Sequence, residues 1–232
     1  MPAGQGGASV ALIVPLLNEA STLPACLERL RVCGADELLL VDGGSSDGSR
    51  ELLEQSGLDW LDSPAGRASQ MNAGAAAASS DILLFLHADT VFDSRHLADV
   101  RQAMRDPAVV GGRFDVRLSG KHPAFRAIAY FINLRSRLTR ISTGDQAMFV
   151  CRDVFAALGG FADIPLMEDV ELSRRLKRQG EVACLRRRVT TSSRRWEKQG
   201  IVRTVLLMWK MRLLFRLGVS PTRLAAMYRD AR

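Results

Sequence analysis

A run of apolar residues in the first half of the chain ends in polar residues that could bind a metal ion. Residues 82–86 are all apolar, as in a strand buried on both faces of a parallel sheet, and His87, Asp89 and Thr90 follow. In open α/β sheets, ligands bind beyond the carboxyl ends of the strands. Asp89 is therefore a suitable oxygen ligand for Mg²⁺ or Mn²⁺, and for the phosphates that these ions carry. The alternative is that Asp89 caps the next helix, since Asp is a favoured N-cap residue.

Two earlier apolar runs, residues 9–14 and residues 37–41, also end in polar loops. Glycine in such loops lets a backbone approach a ligand closely, and Ser, Asp and Gly favour turns. The chemistry-bearing residues of the two loops are Pro15, Asn18, Glu19 and Asp42. Glu19 and Asp42 are open to a second interpretation, as ordinary cap or turn residues.

Arg67 stands at the start of an Ala-rich helix predicted over residues 68–78. A cation is disfavoured there by the helix dipole, and an anion held jointly by Arg67 and the helix N-terminus would resolve the conflict. Gln70 and Asn72 within this helix are interpreted as solvated. His96, His122 and the basic run 186–188 are interpreted as surface residues in the same way.

These segments alternate between strand-like and helix-like patterns. Strand, helix, strand, helix and strand follow one another through residue 62, which predicts a largely parallel α/β sheet. Further strands are expected over residues 109–116 and within 143–150, and a helix over 125–138. A last, Arg-rich helix is expected to begin at residues 167–172, after the Gly-Gly-Phe segment 159–161.

Composition limits the class of protein. The chain has 232 residues, 47% hydrophobic and 25% charged, as in soluble globular proteins. Its four cysteines show no metal-ligand spacing, which favours a cytoplasmic protein, and its Gly-rich N-terminus lacks the basic region of a signal peptide. Residues 1–110 carry 7 Lys and Arg against 15 Asp and Glu, whereas residues 111–232 carry 25 against 10. This asymmetry indicates an anionic partner, and the scarcity of aromatics argues against nucleic acid.

Six short segments, in this order, resemble the family-2 glycosyltransferases of the GT-A fold. They are Pro15-Leu-Leu-Asn-Glu19, Val41-Asp-Gly-Gly-Ser-Ser-Asp-Gly-Ser49, Gly66-Arg67 with Asn72-Ala-Gly74, His87-Ala-Asp89, Gly159-Gly-Phe161 and Glu168-Asp169. The resemblance covers about residues 9–200. It implies a mostly parallel, Rossmann-like sheet flanked by helices, and in detail it looks like the bacterial subgroup often encoded beside radical-SAM or selenoprotein-related genes.

The resemblance also implies a role for each matched position. Residues lining or adjoining the nucleotide would be Pro15, Asn18, Glu19, Asp42, Arg67, Asn72 and Ala88, with Asp89 as the ligand of Mg²⁺ or Mn²⁺. Residues on the acceptor or diphosphate side would be Gly144, Asp145, Arg194, Arg195 and Trp196. The last three look like the end of the Gln-x-x-Arg-Trp element of processive members.

The catalytic base implied by the resemblance is Asp169, next to Glu168. Asp169 is expected at a helix N-terminus, where the dipole favours an ionised carboxylate. Glu168 should point elsewhere, because successive helix residues do not share a face. The other interpretation is that both acids only cap a helix whose later turns are basic.

Three positions depart from the family pattern. Gly43 stands where the loop usually has a second Asp, which puts base recognition in doubt. His87 replaces the first Asp of the Asp-x-Asp metal motif, and we interpret it as a packed residue or one behind the metal ligand. Ser192 replaces the Gln of the Gln-x-x-Arg-Trp element, and the long membrane spans of polysaccharide synthases are missing. A processive polymerase is therefore not expected.

The sequence as a whole predicts an inverting glycosyltransferase that uses a nucleoside diphosphate sugar, with UDP as the expected nucleotide. The transferase domain is expected over residues 1–200, and a basic helical tail over residues 201–232. The tail is expected to pack on the domain, on a second subunit as in a homodimer, or on an anionic membrane surface at the inner face of the cell membrane. Residues 201–217 are too short and too charged to span a bilayer. The alternatives are a sugar-nucleotidyltransferase-like enzyme and an inactive protein that binds anionic membranes or nucleic acid. The sugar and the acceptor are not predicted.

Overall fold

The described residues, 7–230 of the computed structural model, form an α/β structure around one seven-stranded sheet. The strand order is β3-β2-β1-β4-β6-β5-β7. The strands are β1 Val10–Leu16, β2 Glu37–Asp42, β3 Trp60–Asp62, β4 Ile82–Phe85, β5 Val109–Leu118, β6 Phe149–Cys151 and β7 Glu181–Thr191. The predicted fold class is confirmed. The six N-terminal residues of the Gly-rich leader lie outside the described part.

Helices connect and flank these strands. They are α1 Leu23–Arg31, α2 Ser49–Ser56, α3 Arg67–Ala77, α4 Ser94–Ala103, α5 Ala124–Thr139, α6 Arg152–Ala157, α7 Glu168–Leu176, α8 Arg194–Gln199, α9 Ile201–Arg216 and α10 Pro221–Asp230. A single 3₁₀ turn, Gly144–Gln146, precedes β6. Hydrophobic clusters cover both faces of the sheet, which is why its central strands are apolar on both sides.

The first half of the sheet has the order of a dinucleotide-binding fold. β1 pairs in parallel with β2 on one side and with β4 on the other, and β2 pairs in parallel with β3. The strand order therefore reverses at β1, and the crevice beyond the carboxyl ends of β1 and β4 is the place where such sheets bind ligands. Pro15 lies within β1 rather than ending it. The ladder with β4 stops at Ile13, so β1 needs backbone donors on only one side beyond that point.

The second half of the sheet is mixed. β6 runs antiparallel to both β4 and β5, whereas β5 and β7 are parallel. A buried ion-pair network holds α5 against this half: Asp115 on β5 pairs with Arg113 and, at 2.6 Å, with Arg137 of α5. Arg137 also donates to the Cys184 carbonyl on β7 at 3.0 Å.

Several sequence interpretations are corrected by the structure. Asp93, not Asp89, caps α4, and its side chain accepts from the Arg95 amide. His96 is buried rather than exposed, because it completes the same capping box and packs in the aromatic cluster with Phe92. The basic run 186–188 lies on strand β7, where Arg186 and Arg188 are exposed as expected and Arg187 pairs with Asp99.

A few small or apolar residues of the C-terminal helices are enclosed by the protein, and α9 packs against α8 and α10. Thr204 and Met211 of α9 and Leu224 of α10 are buried. Among the residues that the structure describes, no helix combines the length and the hydropathy that crossing a bilayer requires.

The buried network at Asp115 makes a stability prediction. Replacing Asp115 with Asn leaves the Arg113 guanidinium, which is fully enclosed, without its counter-charge. Removing one partner of a buried pair costs about 3–5 kcal/mol, and we expect a loss near the lower end because Arg137 is partly exposed. Urea unfolding measures the change, with Asp59→Asn, at an exposed site, as the control. A loss below about 0.5 kcal/mol would show that the network does not hold α5.

Candidate active site

The loops after β1 and β2 are hydrogen-bonded to each other. The Asn18 amide donates to Ser45 Oγ at 2.9 Å, and the Ser46 amide donates back to Asn18 Oδ1 at 2.9 Å. The Glu19 amide donates to Ser49 Oγ at 2.8 Å. Asn18 has a φ of 56°, a backbone conformation that Asn tolerates better than most residues. The two predicted nucleotide loops therefore form one joined surface beyond the carboxyl ends of their strands.

Asp42 organises the second loop from within. It is fully buried, and its carboxylate accepts from the amides of Gly44 and Ser45 at 3.1 and 3.0 Å and from Ser45 Oγ at 2.5 Å. This is the turn role that the sequence left as an alternative. A direct contact of Asp42 with a nucleoside stays a prediction.

Gln70 explains the departure at Gly43. Its side chain is buried, and Nε2 donates to the carbonyls of Leu16 and Val41 at 2.6 and 2.9 Å, at the ends of β1 and β2. A Cβ at position 43 would lie 2.9 Å from Gln70 Cδ. The Asp found in the family pattern therefore has no room here. The interpretation of Gln70 as a solvated residue is wrong.

Asn72 ties helix α3 to the segment before α7. Its Nδ2 donates to the Phe161 carbonyl at 2.8 Å, and its Oδ1 accepts from the Phe161 amide at 2.9 Å. Gly160 leaves the space for this pairing, since a Cβ there would lie 2.6 Å from Asn72 Oδ1. Asn72 thus has a structural role that the sequence analysis did not foresee, and its predicted nucleotide contact stays untested.

Glu168 and Asp169 form a carboxyl pair at the N-terminus of α7. Both line a small cavity of about 10 Å³. The prediction that Glu168 points elsewhere is wrong, because Glu168 is buried at the same cavity as Asp169. Met167, just before the pair, has a φ of 71°, which is strained for a non-glycine residue. The cavity is lined by Arg67, Met71, Phe85, His87, Gly144, Met148, Phe161, Glu168 and Asp169.

Desolvation dominates the electrostatics of this pair. Burial raises the pKa of Glu168 to about 7, with the neighbouring Asp169 charge adding to the rise and Arg67 opposing it. Burial also raises the pKa of Asp169, although its carboxylate accepts from the amides of Gly144 at 2.8 Å and Val170 at 2.6 Å. The helix N-terminus therefore does not make Asp169 a stronger acid than usual, contrary to our expectation. A raised pKa suits a group that must accept a proton near neutral pH.

His87 is a neutral, enclosed group beside the carboxyl pair. Burial, aided by the Arg67 charge, lowers the pKa of His87 well below its ordinary value. Its Nε2 is buried without a hydrogen-bond partner. A Cβ at position 144 would lie 2.6 Å from that nitrogen and 3.7 Å from Arg67 Nη1. Glycine at 144 therefore lets the acceptor-side turn approach His87 and Arg67 closely.

Asp89 and Asp145 present oxygens suited to a cation. The Oδ1 atom of each is buried and lacks a hydrogen-bond partner. Burial raises the pKa of Asp89, and Glu19 raises it further, while Arg67 and Arg194 lower it. No group of three or more His, Cys, Asp or Glu within residues 7–230 is arranged as a metal-ligand set. A single Asp ligand still fits Mg²⁺ or Mn²⁺, because Mg²⁺ is commonly held by one or two carboxylates together with phosphate oxygens and water.

Two cations from distant parts of the sequence, Arg67 and Arg194, act electrostatically on Asp89. Arg67, at the first position of α3, acts electrostatically on His87, Asp89 and both carboxyls of the pair. Arg194 Nη2, on α8, lies 4.0 Å from Glu19 Oε2. Ala88, in contrast, has its side chain in the hydrophobic core, so only its backbone can face a nucleotide.

The other residues predicted from the basic end of the chain lie on the same short helix. Arg195 stacks on Tyr228 of α10, with 4.5 Å from its guanidinium carbon to the ring centre. Trp196 follows it on α8 and is half-buried. Arg195 therefore joins α8 to α10.

Arg135 on α5 is a charged group near the site that sequence reasoning passed over. Burial lowers its pKa, while the charges of Asp145 and Asp169 raise it. Its Nε and Nη2 atoms are buried without a hydrogen-bond partner. A lone Arg in a basic, apolar helix gives no sequence signal of this placement.

Comparison with known proteins gives matches to one protein family. Residues 11–159 match the model of glycosyl transferase family 2. A PGL/p-HBAD biosynthesis glycosyltransferase of Mycobacterium bovis (strain BCG / Pasteur 1173P2) is 39% identical over 97 residues, which are 38% of this chain and 37% of that protein. An undecaprenyl-phosphate 4-deoxy-4-formamido-L-arabinose transferase of Yersinia pestis (strain Pestoides F) is 34% identical over 93 residues, 34% of this chain and 28% of that protein. The chain thus aligns with only 37% and 28% of the length of these two curated relatives.

Solved structures with the same fold extend over more of the chain. The mannosyltransferase PcManGT from Pyrobaculum calidifontis, in complex with GDP-Man and Mn²⁺, matches 94% of this chain and 67% of its own, with a TM-score of 0.68 at 18% identity. Glucosyl-3-phosphoglycerate synthase from Mycobacterium tuberculosis, in complex with Mn²⁺, UDP-glucose and phosphoglyceric acid, matches 80% of this chain and 71% of its own, with a TM-score of 0.58 at 16% identity. At this identity the likeness establishes the fold.

The contact between Gln70 and position 43 makes a prediction that a double-mutant cycle can test. Gly43→Ala should destabilise by about 1–3 kcal/mol because its methyl group collides with Gln70. Gln70→Ala should cost about 1–3 kcal/mol because two buried carbonyls lose their donor. The double variant should lose less than the sum, since the collision is absent. Unfolding free energies in denaturant measure all three, with exposed Gln102→Ala as the control, and strict additivity would refute the steric explanation.

Proposed function

The chain belongs to glycosyl transferase family 2, and we propose on that basis that it transfers a sugar, with inversion, from a nucleoside diphosphate sugar to an acceptor hydroxyl. The observation that carries the proposal is that one cation, Arg67, acts electrostatically on two sets of acids. These are Asp89, whose Oδ1 is buried without a hydrogen-bond partner, and the Glu168–Asp169 carboxyl pair.

The donor nucleotide would lie on the joined loops that follow β1 and β2. The crevice beyond β1 and β4 is where sheets of this order bind ligands, and Asn18 and Glu19 line its first loop. We propose UDP as the nucleotide. The complexes of similar folds support a nucleoside diphosphate sugar of either kind, because one holds GDP-Man and another UDP-glucose.

The diphosphate would lie between Asp89 and Arg67. Asp89, through its unpartnered Oδ1, would hold Mg²⁺ or Mn²⁺, which neutralises the charge of the leaving diphosphate. Arg67, at the N-terminus of α3, would bind the same anion from the protein side, where the helix dipole also favours negative charge. Arg194, next to Glu19, would close the cleft from the tail side.

The acceptor would be activated by Asp169. The acceptor oxygen attacks the anomeric carbon, the bond from that carbon to the diphosphate oxygen breaks, and the hydroxyl proton passes to the Asp169 carboxylate. The Gly144 and Val170 amides orient this carboxylate. Glu168, whose pKa is raised to about 7, carries a negative charge mainly above neutral pH, and that charge then makes Asp169 a stronger base. Gly144, Asp145, Arg195 and Trp196 would border the acceptor side.

The setting of the reaction is part of the proposal. We place the transferase activity in residues 1–200 and a basic helical tail in 201–232, in a bacterial cytoplasmic enzyme whose acceptor is presented at the inner face of the membrane. One relative is an undecaprenyl-phosphate sugar transferase by name, which supports a lipid-linked acceptor.

A screen of nucleoside diphosphates and their sugars for thermal stabilisation, with and without Mn²⁺, tests the donor class, since ligand at 100 times its Kd adds about 2.7 kcal/mol to the stability of the protein.

Metal dependence should be lost with Asp89. We expect UDP to bind more weakly in EDTA than in Mn²⁺, and Asp89→Ala to remove this difference because no protein ligand then holds the ion. The loss should be about tenfold or more in affinity, on the order of 1.4 kcal/mol. Titration calorimetry measures it, and Asp153→Ala, at an exposed acid on α6, is the control. Equal affinity of the wild type in Mn²⁺ and in EDTA would reject the assignment of Asp89.

Asp169 should be required for turnover but not for donor binding. Asp169→Asn keeps the shape and removes the base, so the turnover number should fall about 10²–10⁴-fold with nucleotide affinity unchanged. Initial rates and calorimetry on the same preparation separate the two effects. Near-normal turnover, or a loss of nucleotide affinity instead, would show that Asp169 is not the base.

Glu168→Gln should shift the pH dependence. Because the folded state raises the pKa of Glu168, the native protein holds a proton that the unfolded chain releases, and stability declines as pH rises from about 4.5 toward about 7. The Gln variant lacks this decline, so the variant should gain stability relative to the wild type at pH 8 but not at pH 4. Denaturant unfolding of both proteins between pH 4 and pH 8 measures the difference. If the stability of the wild type and of the Gln variant changed with pH in the same way, the raised pKa of Glu168 would be contradicted.

A further inference from the structure

Helix α9 exposes a continuous apolar stripe. Five large side chains on it or at its end are each between 58 and 71% exposed: Val202, Leu206, Trp209, Leu213 and Leu217. Their spacing of four, three, four and four residues places them along one side of the helix. The opposite side of α9 faces the protein interior, since Thr204 and Met211 are buried there. An apolar stripe left outward on a helix that is packed on its other side indicates a further partner.

Cations border this stripe on both sides. Arg203 and Lys210, seven residues apart, lie along one edge, and Arg216 lies along the other, and all three are exposed. The helix sequence from Ile201 to Arg216 contains no acidic residue. The stripe between these cations is the side of α9 that faces outward.

The stripe adjoins the candidate active site. Helix α9 begins directly after α8, which carries Arg194, and ends where Phe215 lies under the Arg174 guanidinium of α7, 4.8 Å from the ring centre. Helix α5 lies near both α8 and the end of α7. At its start, Gly120 lies close to Phe125 of α5 and to Glu197 of α8. At its end, the Thr139 carbonyl accepts a hydrogen bond from Lys177, just after α7.

Helix α5 carries exposed apolar residues of its own. Tyr130, Phe131 and Leu138 are 59, 61 and 76% exposed, and Arg126 is an exposed cation one turn earlier. Helices α5 and α9 therefore expose the same kinds of residue, apolar side chains together with cations.

We propose that the outward face of α9 is a docking surface for an anionic lipid bilayer. Aliphatic side chains would enter the acyl boundary, Trp209 would sit at headgroup level, and Arg203, Lys210 and Arg216 would reach the lipid phosphates. Each cation near an anionic leaflet adds about 1 kcal/mol, and Trp is enriched at membrane interfaces. The inference does not depend on the transferase activity, although docking here would present a lipid-borne hydroxyl to the Asp169 side of the cleft.

A second copy of the chain fits this face less well. In a twofold pairing the same patch meets itself. The stripe of one copy would then bring its flanking cations against those of the other, with no acidic residue on α9 to pair with them. Charge complementarity therefore favours the bilayer over a homodimer.

Vesicle flotation with the full chain tests the proposal. One set of vesicles contains phosphatidylcholine only, and the other contains phosphatidylcholine with about a third phosphatidylglycerol. We expect recovery with the anionic vesicles at low and moderate salt, little recovery with the zwitterionic vesicles, and a decline as salt is raised. Equal recovery with both vesicle types, or none with either, would overturn the proposal.

Matched variants locate the surface. Leu206→Ser with Trp209→Ser removes apolar contacts, and Arg203→Glu with Lys210→Glu reverses two charges. Each pair should lower the vesicle partition coefficient about tenfold or more. Val32→Ser, at a 79% exposed valine after α1, and Arg105→Glu, at an exposed arginine after α4, make the same kinds of change elsewhere and should bind like the wild type.

Three readouts keep the test decisive. Circular dichroism and nucleotide calorimetry on each variant show that the fold and the proposed donor site are intact, so a failure of docking is separate from a failure of the proposed function. Sedimentation velocity without lipid reports the oligomeric state. A wild-type dimer that becomes monomeric in Leu206→Ser with Trp209→Ser would assign the face to a second copy and overturn the bilayer proposal. Unchanged vesicle binding by both variant pairs would do the same.

Discussion

Desolvation of carboxyl groups at one edge of the sheet is the constraint on which the site depends. Burial raises the pKa values of Asp89, Glu168 and Asp169, and Glu19 and Asp145 add like charge to Asp89. Arg67 and Arg194 offset only part of this cost. The cleft is therefore electrostatically incomplete without a ligand, and a divalent cation that carries a diphosphate would supply opposite charge to Asp89 and an anion to Arg67. The surrounding loops hold the acids together against their repulsion.

The sequence predicted the elements well because they rest on local patterns. The strands are continuous apolar runs, and the polar residues after β1, β2 and β4 meet at one edge because those strands are parallel. Prediction from the sequence failed where a side chain forms hydrogen bonds with backbone groups that are far away in the sequence. Gln70 bonds carbonyls 54 and 29 residues away, and Asn72 bonds Phe161, 89 residues away. Such partners leave no periodic signal, so both residues resembled ordinary solvated positions.

Two expectations about helix α7 were wrong because burial is not visible in a local sequence pattern. Helical spacing alone separates Glu168 from Asp169, yet the strained turn at Met167 and the packing of α7 bring both acids to one cavity. The dipole argument for Asp169 was sound for an exposed helix end, but enclosure outweighs it. Gly43 suggested weakened base recognition, and the structure shows a glutamine in the space that an acid would need. Burial, rather than residue type, decided each case.

The position of β6 has a consequence for synthesis of the chain. Strands β1 to β4 come from the first 85 residues and pair through short connections, so they can assemble while later residues are still being added. The other neighbour of β4, β6, begins 64 residues further on, at Phe149. At 5–20 residues per second, about 3–13 s pass between the synthesis of the wholly apolar strand β4 and the synthesis of β6. During that interval a nascent chain presents an unpaired strand, Ile82–Phe85, that is open to pairing with other chains.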